Sequence, residues 1–222
     1  MHEPTVFVVD DDAGLRRSLD WLFRSIKIPV ETYASAQDFL DTFDPMRPGC
    51  LLLDVRMPGM SGLDLQSWLR DSGHELPIII LTGFGDAQSA VRALKKGAFD
   101  FIEKPFSDQQ LLGRVRQALD EDQSRRAAGE AQRAISERFE VLTKREREVL
   151  AYVVAGRTSR KIADELHLVV FTVENHRASV MRKMKVRTVA DLVRLITTTP
   201  GLLDRLPQVD LPGSSDGRRP ES

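Results

Sequence analysis

Leu51-Leu52-Leu53-Asp54 is a short, unbroken apolar run that ends on a carboxylate. Three other largely apolar runs also lead into polar side chains: 5–9 into Asp10 and Asp11, 78–81 into Thr82, and 99–102 into Lys104. Runs of this length, separated by helical patterns, are typical of parallel strands buried on both faces. We therefore predict an α/β fold with a doubly wound, five-stranded parallel sheet and five helices in the first half of the chain.

The polar ends of these runs predict one site. Ligands bind outside the carboxyl ends of the strands in a doubly wound sheet, so the carboxylates, the hydroxyl and the ammonium group should meet at one edge. Carboxylates placed close together repel each other unless a cation lies between them, and hard oxygen ligands suit Mg²⁺. A lysine and a hydroxyl nearby suit a phosphoryl group. The pattern predicts an aspartate that accepts phosphate.

Four short motifs surround these side chains: Val8-Val9-Asp10-Asp11-Asp12, Leu53-Asp54-Val55-Arg56-Met57-Pro58-Gly59-Met60-Ser61-Gly62, Leu81-Thr82-Gly83 and Phe101-Ile102-Glu103-Lys104-Pro105-Phe106. In this order and spacing they resemble the receiver domain of a two-component response regulator, and the resemblance covers residues 5–120. It implies a flavodoxin-like receiver fold. The alternative is that Asp10–Asp12 only cap the next helix and that Lys104 is a surface charge. Asp12 is expected to cap the helix that follows it. The alternative does not explain why the other strands also end in side chains suited to phosphate chemistry.

The resemblance also implies a role for each side chain. Asp54 is expected to be phosphorylated by a cognate sensor histidine kinase. Mg²⁺ is expected on four oxygen-bearing groups: Asp10, Asp11, Asp54 and the backbone carbonyl of Arg56. Lys104 should pair with the phosphoryl oxygens, and Thr82 should hydrogen-bond one of them. Phe101 should turn inward as Thr82 moves, although a static core aromatic remains the alternative for Phe101.

Length, charge and cysteine content limit the class of protein. The 222 residues suit two domains, and neither a membrane span nor a signal peptide is visible, which predicts a cytoplasmic protein with no membrane partner. Residues 1–122 hold 20 acidic and 13 basic residues, whereas residues 123–222 hold 13 acidic and 19 basic. This asymmetry favours nucleic-acid contact by the second half. The lone cysteine, Cys50, excludes an intramolecular disulfide and is predicted to be a small buried apolar residue.

The composition after the receiver predicts a linker, a second domain and a tail. We predict a receiver over 1–122, a helical linker over 123–138, a small all-α domain over 139–200 and a disordered tail over 201–222. The linker has only a faint alanine stripe, which favours a solvated spacer over a pairing coiled coil. A capping box at Thr143–Glu146 should begin the first helix of the second domain.

The second domain resembles a LuxR-type helix-turn-helix through Leu142-Thr143-Lys144-Arg145-Glu146-Arg147-Glu148-Val149-Leu150, Val154-Ala155-Gly156, Thr172-Val173-Glu174-Asn175-His176-Arg177 and Met181-Arg182-Lys183-Met184. Together the domains resemble FixJ-type regulators. The resemblance implies that residues 170–185 enter the major groove of DNA. The candidate DNA contacts are Arg160, Lys161, Thr172, Asn175, His176, Arg177, Arg182, Lys183 and Lys185.

One segment departs from the LuxR pattern. Val169-Val170-Phe171 stands where these proteins usually have a small polar cap and a basic residue. Valine is a poor N-cap, and three apolar side chains would face solvent or DNA. They could read thymine methyl groups, bind a partner or weaken the helix start. His167 also stands at a turn position that is often glycine or a small polar residue.

The main prediction is a regulator, not an enzyme, that dimerises on phosphorylation and binds promoter DNA to control transcription. RNA polymerase is a further candidate partner. A different class is a signalling interaction protein, in which the receiver takes phosphate but the altered helix does not bind specific DNA. A metal-dependent phosphatase using Asp54 is a third alternative, weakened because such hydrolases usually need a second carboxylate where Arg56 stands. A gel-shift experiment with and without a phosphate donor discriminates between the first two.

Overall fold

The computed structural model of the chain describes residues 3–83 and 87–209, apart from the side chains of residues 87–90. The chain divides into two compact units, Met1–Ala127 and Ala128–Ser222. Among the helices of the described ranges, none is long and apolar enough to cross a bilayer.

The first unit contains the predicted doubly wound sheet. Its five parallel strands lie in the order β2-β1-β3-β4-β5 and span Thr5–Val9 (β1), Val30–Tyr33 (β2), Gly49–Asp54 (β3), Ile78–Thr82 (β4) and Asp100–Glu103 (β5). The intervening helices are Ala13–Ser25 (α1), Ala36–Thr42 (α2), Gly62–Asp71 (α3) and Ala87–Lys95 (α4), and α5 begins at Asp108. This order is that of flavodoxin-like folds, and it confirms the predicted fold class.

The sheet has an apolar cluster on each face, which explains why its three central strands, β1, β3 and β4, are buried along their whole length. Leu52 packs with α1 and α5 residues such as Phe23 and Val115. Leu51 and Leu53 point the other way, into a cluster with α2 and α3 that contains Phe39. Successive strand residues alternate between faces, so a strand covered on both sides buries every side chain. Cys50 is fully buried as predicted, and burial raises the pKa of its thiol.

The predicted linker is helical, but it is not a separate element. Helix α5 runs without a break from Asp108 to Glu140, and residues 123–138 lie wholly within it. Gly129 does not interrupt the helix. Ala127 and Ala131, which belong to the faint alanine stripe, are exposed.

A buried carboxylate fixes α5 against the amino end of β3. Asp122 is 1% exposed and accepts a hydrogen bond of 2.9 Å from the backbone N–H of Gly49 and one of 2.8 Å from Arg126 Nε. Arg125 also donates to Asp122. Arg126 donates further hydrogen bonds to the carbonyls of Pro45, Met46 and Arg47. These contacts join positions more than seventy residues apart.

The second unit is a small helical domain. Its helices after α5 span Lys144–Val154 (α6), Ser159–Leu166 (α7), Val170–Met184 (α8) and Val189–Thr198 (α9). Thr143, Thr158 and Thr188 each accept a backbone N–H at a helix start, and Thr143 forms the predicted capping box with Glu146. The turn before α8 places His167 in the left-handed region at φ 53°, a conformation that costs little for glycine and more for other residues.

The start of the predicted disordered tail is ordered, which corrects the boundary drawn from composition. Leu202 is fully buried in the core of the helical domain, and a 3₁₀ turn, Leu203–Arg205, follows it. The guanidinium groups of Arg147 and Arg205 lie 5.0 and 5.1 Å from the centre of the Phe139 ring. Burial of Leu202 stabilises this segment although its neighbours are Pro, Gly and charged residues. Residues 210–222 of the predicted tail lie outside the described residues.

Replacing Asp122 should destabilise the first unit. Asp122→Ala leaves the buried Gly49 N–H without its acceptor and two arginines without their carboxylate, at a cost of about 2–3 kcal/mol. Urea unfolding followed by tryptophan fluorescence reports on this unit, because Trp21 and Trp68 are the chain's two tryptophans. Asp120→Ala, an exposed position on the same helix, is the matched control. Equal midpoints for the two variants would show that the Asp122 contacts are not stabilising.

Candidate functional site

The carboxyl edge of the sheet brings together side chains from three strands. Asp10 follows β1 directly, and Asp54 is the last residue of the neighbouring strand β3. The strand order reverses between β1 and β3, and this is where doubly wound folds bind ligands. Lys104 follows β5 and reaches the same place.

Lys104 bridges the two carboxylates. Its Nζ donates to Asp10 Oδ2 at 2.7 Å and to Asp54 Oδ1 at 2.6 Å. The side chains of Asp10 and Asp54 are 1% and 10% exposed, whereas that of Lys104 is 26% exposed. The ammonium group therefore offsets part of the negative charge of two nearly buried acids while it remains accessible at the sheet edge.

Backbone groups hold the second oxygen of each carboxylate. The N–H of Asp12 donates to Asp10 Oδ1 at 2.8 Å, and the N–H of Arg56 donates to Asp54 Oδ2 at 2.7 Å. Asp12 itself caps α1, as predicted, by accepting the N–H groups of Gly14 and Leu15. Both carboxylates are thus held in fixed orientations by the loops that follow their strands.

Burial and pairing shift the protonation of this cluster. Burial raises the pKa of Asp54 above its usual value, and the hydrogen bond from Lys104 opposes this without cancelling it. Burial lowers the pKa of Lys104, but hydrogen bonds to Asp10 and Asp54 outweigh it and leave that pKa raised. Lys104 is therefore a cation at neutral pH.

The conformation of the loop after Asp54 requires a glycine at position 62. The sequence alone did not indicate this requirement. The Gly62 N–H donates to the Val55 carbonyl at 3.1 Å, and this brings the start of α3 against β3. A Cβ atom at Gly62 would lie 2.0 Å from the carbonyl oxygen of Asp54. Any larger residue must therefore displace the backbone that carries Asp54.

The predicted metal ligands are only partly brought together. Asp10 and Asp54 converge, but Asp11 is exposed, and the described part of the chain has no group of three or more His, Cys, Asp or Glu side chains that could hold a metal ion. Lys104 already provides positive charge between the two buried acids. Their oxygens and a neighbouring backbone carbonyl nevertheless match the hard donors that Mg²⁺ prefers.

Thr82 and Phe101 occupy opposite environments. Thr82, the last residue of β4, is 2% exposed, and its carbonyl accepts the Lys104 N–H at 2.7 Å. Phe101 on β5 is 38% exposed, so it is not part of the buried core. Val91 and Leu94 of α4 are also exposed, by 52% and 41%.

Helix α8 of the second unit has one outward face. Val173, Val180 and Met184 are buried in the domain core. Its exposed positions are Val170, Phe171, Glu174, Asn175, Ala178 and Arg182, and the exposed Lys185 follows the last residue of the helix. Of the predicted DNA contacts, Asn175, Arg182 and Lys185 lie on this face, Arg160 and Lys161 are exposed on α7, and Thr172, His176 and Arg177 are half-buried.

Lys183 differs from the other predicted contacts because its ammonium group is used within the domain. It lies 2.7 Å from Glu146 Oε2 and 3.3 Å from the Val141 carbonyl. Glu146 also accepts the N–H of Thr143 and the hydroxyl of Ser179. Burial alone would raise the pKa of Glu146, but Lys183 and these hydrogen bonds lower it to about 2. The sequence indicated the capping role of Glu146, but not its link to α8.

Comparison with known proteins agrees with both halves of this description. Residues 6–116 match the response regulator receiver domain, and residues 140–196 match the bacterial regulatory proteins of the luxR family. The chain belongs to the two-component response regulators, with a receiver domain and a LuxR-type DNA-binding domain, and the predicted resemblance is confirmed. The pairing of a receiver domain with a LuxR-type DNA-binding domain implies transcription regulation.

Individual relatives match over most of their length. The chain is 45% identical over 193 residues to nodulation protein W of Bradyrhizobium diazoefficiens, covering 87% of this chain and 85% of that protein. It is 41% identical over 190 residues to the transcriptional regulatory protein FixJ of Azorhizobium caulinodans, covering 86% and 90%. The solved structure of the response regulator StyR has a TM-score of 0.82 at 44% identity, covering 88% of this chain and 98% of StyR.

Substituting Gly62 should perturb the sheet-edge site. Gly62→Ala places a methyl group 2.0 Å from the Asp54 carbonyl, so the loop must move and the receiver should lose roughly 1–3 kcal/mol of stability. Gly83→Ala is the control, because a Cβ there meets nothing within 4 Å. Urea unfolding by tryptophan fluorescence compares the two variants. Equal stability would contradict the close approach of Gly62 to Asp54.

Glu146 should make the helical domain sensitive to acid. Its pKa is about 2 in the fold, below the usual 4.5, so its contribution is present above about pH 4.5 and is lost as the pH falls toward 2. The full shift corresponds to roughly 3 kcal/mol. Amide hydrogen exchange in α6 and α8 should show Glu146→Gln to be less protected than wild type at neutral pH, with the difference shrinking in acid. Exposed Glu165→Gln is the control, and a pH-independent difference would contradict the pairing.

Proposed function

We propose that this protein accepts a phosphoryl group on Asp54 from a sensor histidine kinase and, once phosphorylated, binds promoter DNA as a dimer. One observation supports the first step above all. Lys104 Nζ lies between Asp10 and Asp54 at the switch point of the sheet, within 2.7 Å of both carboxylates. This arrangement combines an oxygen nucleophile, a cation for the phosphoryl oxygens and a second acid at one accessible edge.

The transfer is a displacement at phosphorus. A carboxylate oxygen of Asp54 attacks the phosphoryl group of a phosphohistidine, a P–O bond forms, and the P–N bond breaks with its electron pair returning to the imidazole. Nothing is oxidised or reduced. Lys104 starts 2.6 Å from Asp54 Oδ1 and can follow the developing charge onto the phosphoryl oxygens. The N–H of Arg56 keeps the other oxygen of Asp54 in place.

Mg²⁺ would be held by Asp10, Asp54 and the backbone carbonyl of Arg56, with Asp11 as a further ligand. When bound, it supplies positive charge that offsets the carboxylates and the phosphoryl oxygens. Asp10 is fully buried beside Asp54, so it contributes negative charge that a cation must balance. Lys104 can leave Asp10 for the phosphoryl group only if another cation takes its place.

Phosphorylation would act through Thr82 and Phe101. A phosphoryl group on Asp54 would carry about −1.5 to −2 charge in place of the carboxylate's single negative charge, and the Thr82 hydroxyl would move to bond it. Phe101, now 38% exposed, would turn into the space that Thr82 leaves. Val91 and Leu94 are exposed apolar side chains on the neighbouring α4, so the change would reshape a face suited to pairing with a second copy.

The outward face of α8 would enter the major groove of promoter DNA. The protein would act in the cytoplasm, where it could reach both the kinase and the promoter. Asn175, Arg182 and Lys185 face outward, and Arg160 and Lys161 on α7 could contact phosphates. Lys183 is not among the proposed DNA contacts, because its ammonium group pairs with Glu146. RNA polymerase is a candidate partner of the DNA-bound dimer.

A signalling interaction protein is the second candidate. The observation in its favour is the exposed apolar start of α8, where Phe171 is 75% exposed. In that function the patch would bind another protein. Gel-shift titration with promoter fragments, with and without phosphate donor, separates the two candidates, because only the regulator gains DNA affinity.

Asp54→Asn should abolish phosphate uptake and leave the fold intact, because it removes the nucleophile and keeps the side-chain volume. Mass spectrometry after treatment with acetyl phosphate and Mg²⁺ should show one added phosphoryl group in the wild type and none in the variant. Asp20→Asn on α1 is the matched control and should be phosphorylated normally. A phospho-adduct that persists in Asp54→Asn would place the site elsewhere.

The same samples test dimerisation. In sedimentation velocity, acetyl phosphate should shift the wild type from monomer toward dimer and leave Asp54→Asn unchanged. If mass spectrometry shows that the wild type is phosphorylated but the protein stays monomeric, the proposed dimer is wrong. The proposed phosphorylation site would be unaffected by this result.

A further inference from the structure

The start of α8 exposes three consecutive apolar side chains. Val169, Val170 and Phe171 are 67%, 44% and 75% exposed. Isolated exposed apolar residues are common, but a phenylalanine exposed to this degree beside two valines forms a patch. This patch lies within the LuxR-type domain, at the start of the helix that is proposed to bind DNA.

Helix stability does not account for these residues. Val169 occupies the N-cap position and makes no side-chain hydrogen bond, whereas α6, α7 and α9 each begin with a threonine that caps the helix. Valine is among the poorest N-caps, so the segment lowers the stability of the helix start. Val169 and Phe171 are mostly exposed, so core packing offsets little of this loss. The segment therefore fits a binding role better than a folding role.

The geometry of α8 places Phe171 among the groups that would meet base edges. Asn175 and Ala178 follow it at the i+4 and i+7 positions, so the three residues share one face, and all three are exposed. Val173 and Val180 belong to the opposite, buried side. In helix-turn-helix proteins, the first residues of the recognition helix are those that contact base edges.

Basic side chains outnumber the acidic ones (Asp164, Glu165 and Glu174) among the exposed residues of α7, α8 and the segment after α8, which favours DNA over a protein as the occupant of the patch. Arg160 and Lys161 precede it on the exposed side of α7, and exposed Arg182, Lys185 and Arg187 lie at the other end of α8. Such cations suit the phosphates on either side of a groove. In the sequence, the apolar patch lies between these two basic groups.

Building on the proposed DNA binding, we propose that Phe171 is a specificity-determining residue that contacts the C5-methyl group of a thymine in the major groove. Thymine alone presents a methyl group there, and an apolar side chain is its natural partner. Phe171 would therefore select thymine at one position in each half-site. Asn175, on the same face one turn later, can bond adenine through its amide.

Selection from random DNA tests the preference. The phosphorylated full-length protein, Phe171→Ala and Phe171→Arg are each used to enrich binding sites from a random duplex pool. The wild type should enrich one thymine per half-site that neither variant enriches. Leu203→Ala is the control, because Leu203 is an exposed apolar residue of the same domain away from α8, and it should enrich the wild-type sequence.

Removing the methyl group alone tests the contact. In the enriched site, deoxyuridine replaces the selected thymidine and leaves the base pair unchanged. Wild-type affinity should fall about fourfold, the factor expected for one buried methyl group. The affinity of Phe171→Ala should be the same for both duplexes. This difference should persist at different salt concentrations, because the contact is apolar.

Two outcomes overturn the proposal in distinguishable ways. If a sequence is enriched but deoxyuridine has the same effect on wild type and Phe171→Ala, DNA binding stands and the Phe171 contact is wrong. If no sequence is enriched and affinity for random DNA does not change with salt, the proposed DNA binding fails as well, and the patch belongs to the interaction-protein alternative.

Discussion

The Lys104 ammonium group is the interaction on which the receiver site depends, because it stabilises two carboxylates that would otherwise repel each other. Asp10 and Asp54 are nearly buried, and each lies within 2.7 Å of Lys104 Nζ. Removing one member of such a cluster leaves buried charge without compensation, which is strongly destabilising. The same cluster is also reactive, since Lys104 is partly exposed and can change partners when negative charge arrives on Asp54. Stability and function thus use the same three side chains.

The helical domain uses a similar pair for a different purpose. Glu146 and Lys183 lie 2.7 Å apart, and Glu146 also accepts hydrogen bonds from Thr143 and Ser179. The pair links the start of α6 to the last turn of α8, so it fixes the orientation of the proposed recognition helix. Asp54, by contrast, lies at a strand end beside accessible loops. The surroundings of each carboxylate, rather than the ion pair itself, separate a structural role from a reactive one.

The fold and most of the receiver cluster could be predicted from the sequence because they follow from local patterns. Apolar runs define strands, and the topology of a parallel sheet brings Asp10, Asp54 and Lys104 to one edge. The Asp122 contact with Gly49 was missed, because its partners are 73 residues apart and no local pattern connects them. The buried Leu202 was missed for a related reason: composition suggested disorder, and only packing orders the segment. Lys183 was predicted to contact DNA because of its positive charge. The sequence indicated only a capping role for Glu146, so the ion pair between the two residues was missed.

We propose that phosphorylation of Asp54 controls the DNA affinity of α8. Fluorescence anisotropy of a labelled promoter duplex, titrated with the full chain with and without acetyl phosphate and Mg²⁺, measures this most directly. The phosphate donor should tighten binding by the wild type and leave binding by Asp54→Asn unchanged. Equal affinity of the wild type in both conditions, with phosphorylation verified by mass spectrometry, would show that Asp54 does not control DNA binding.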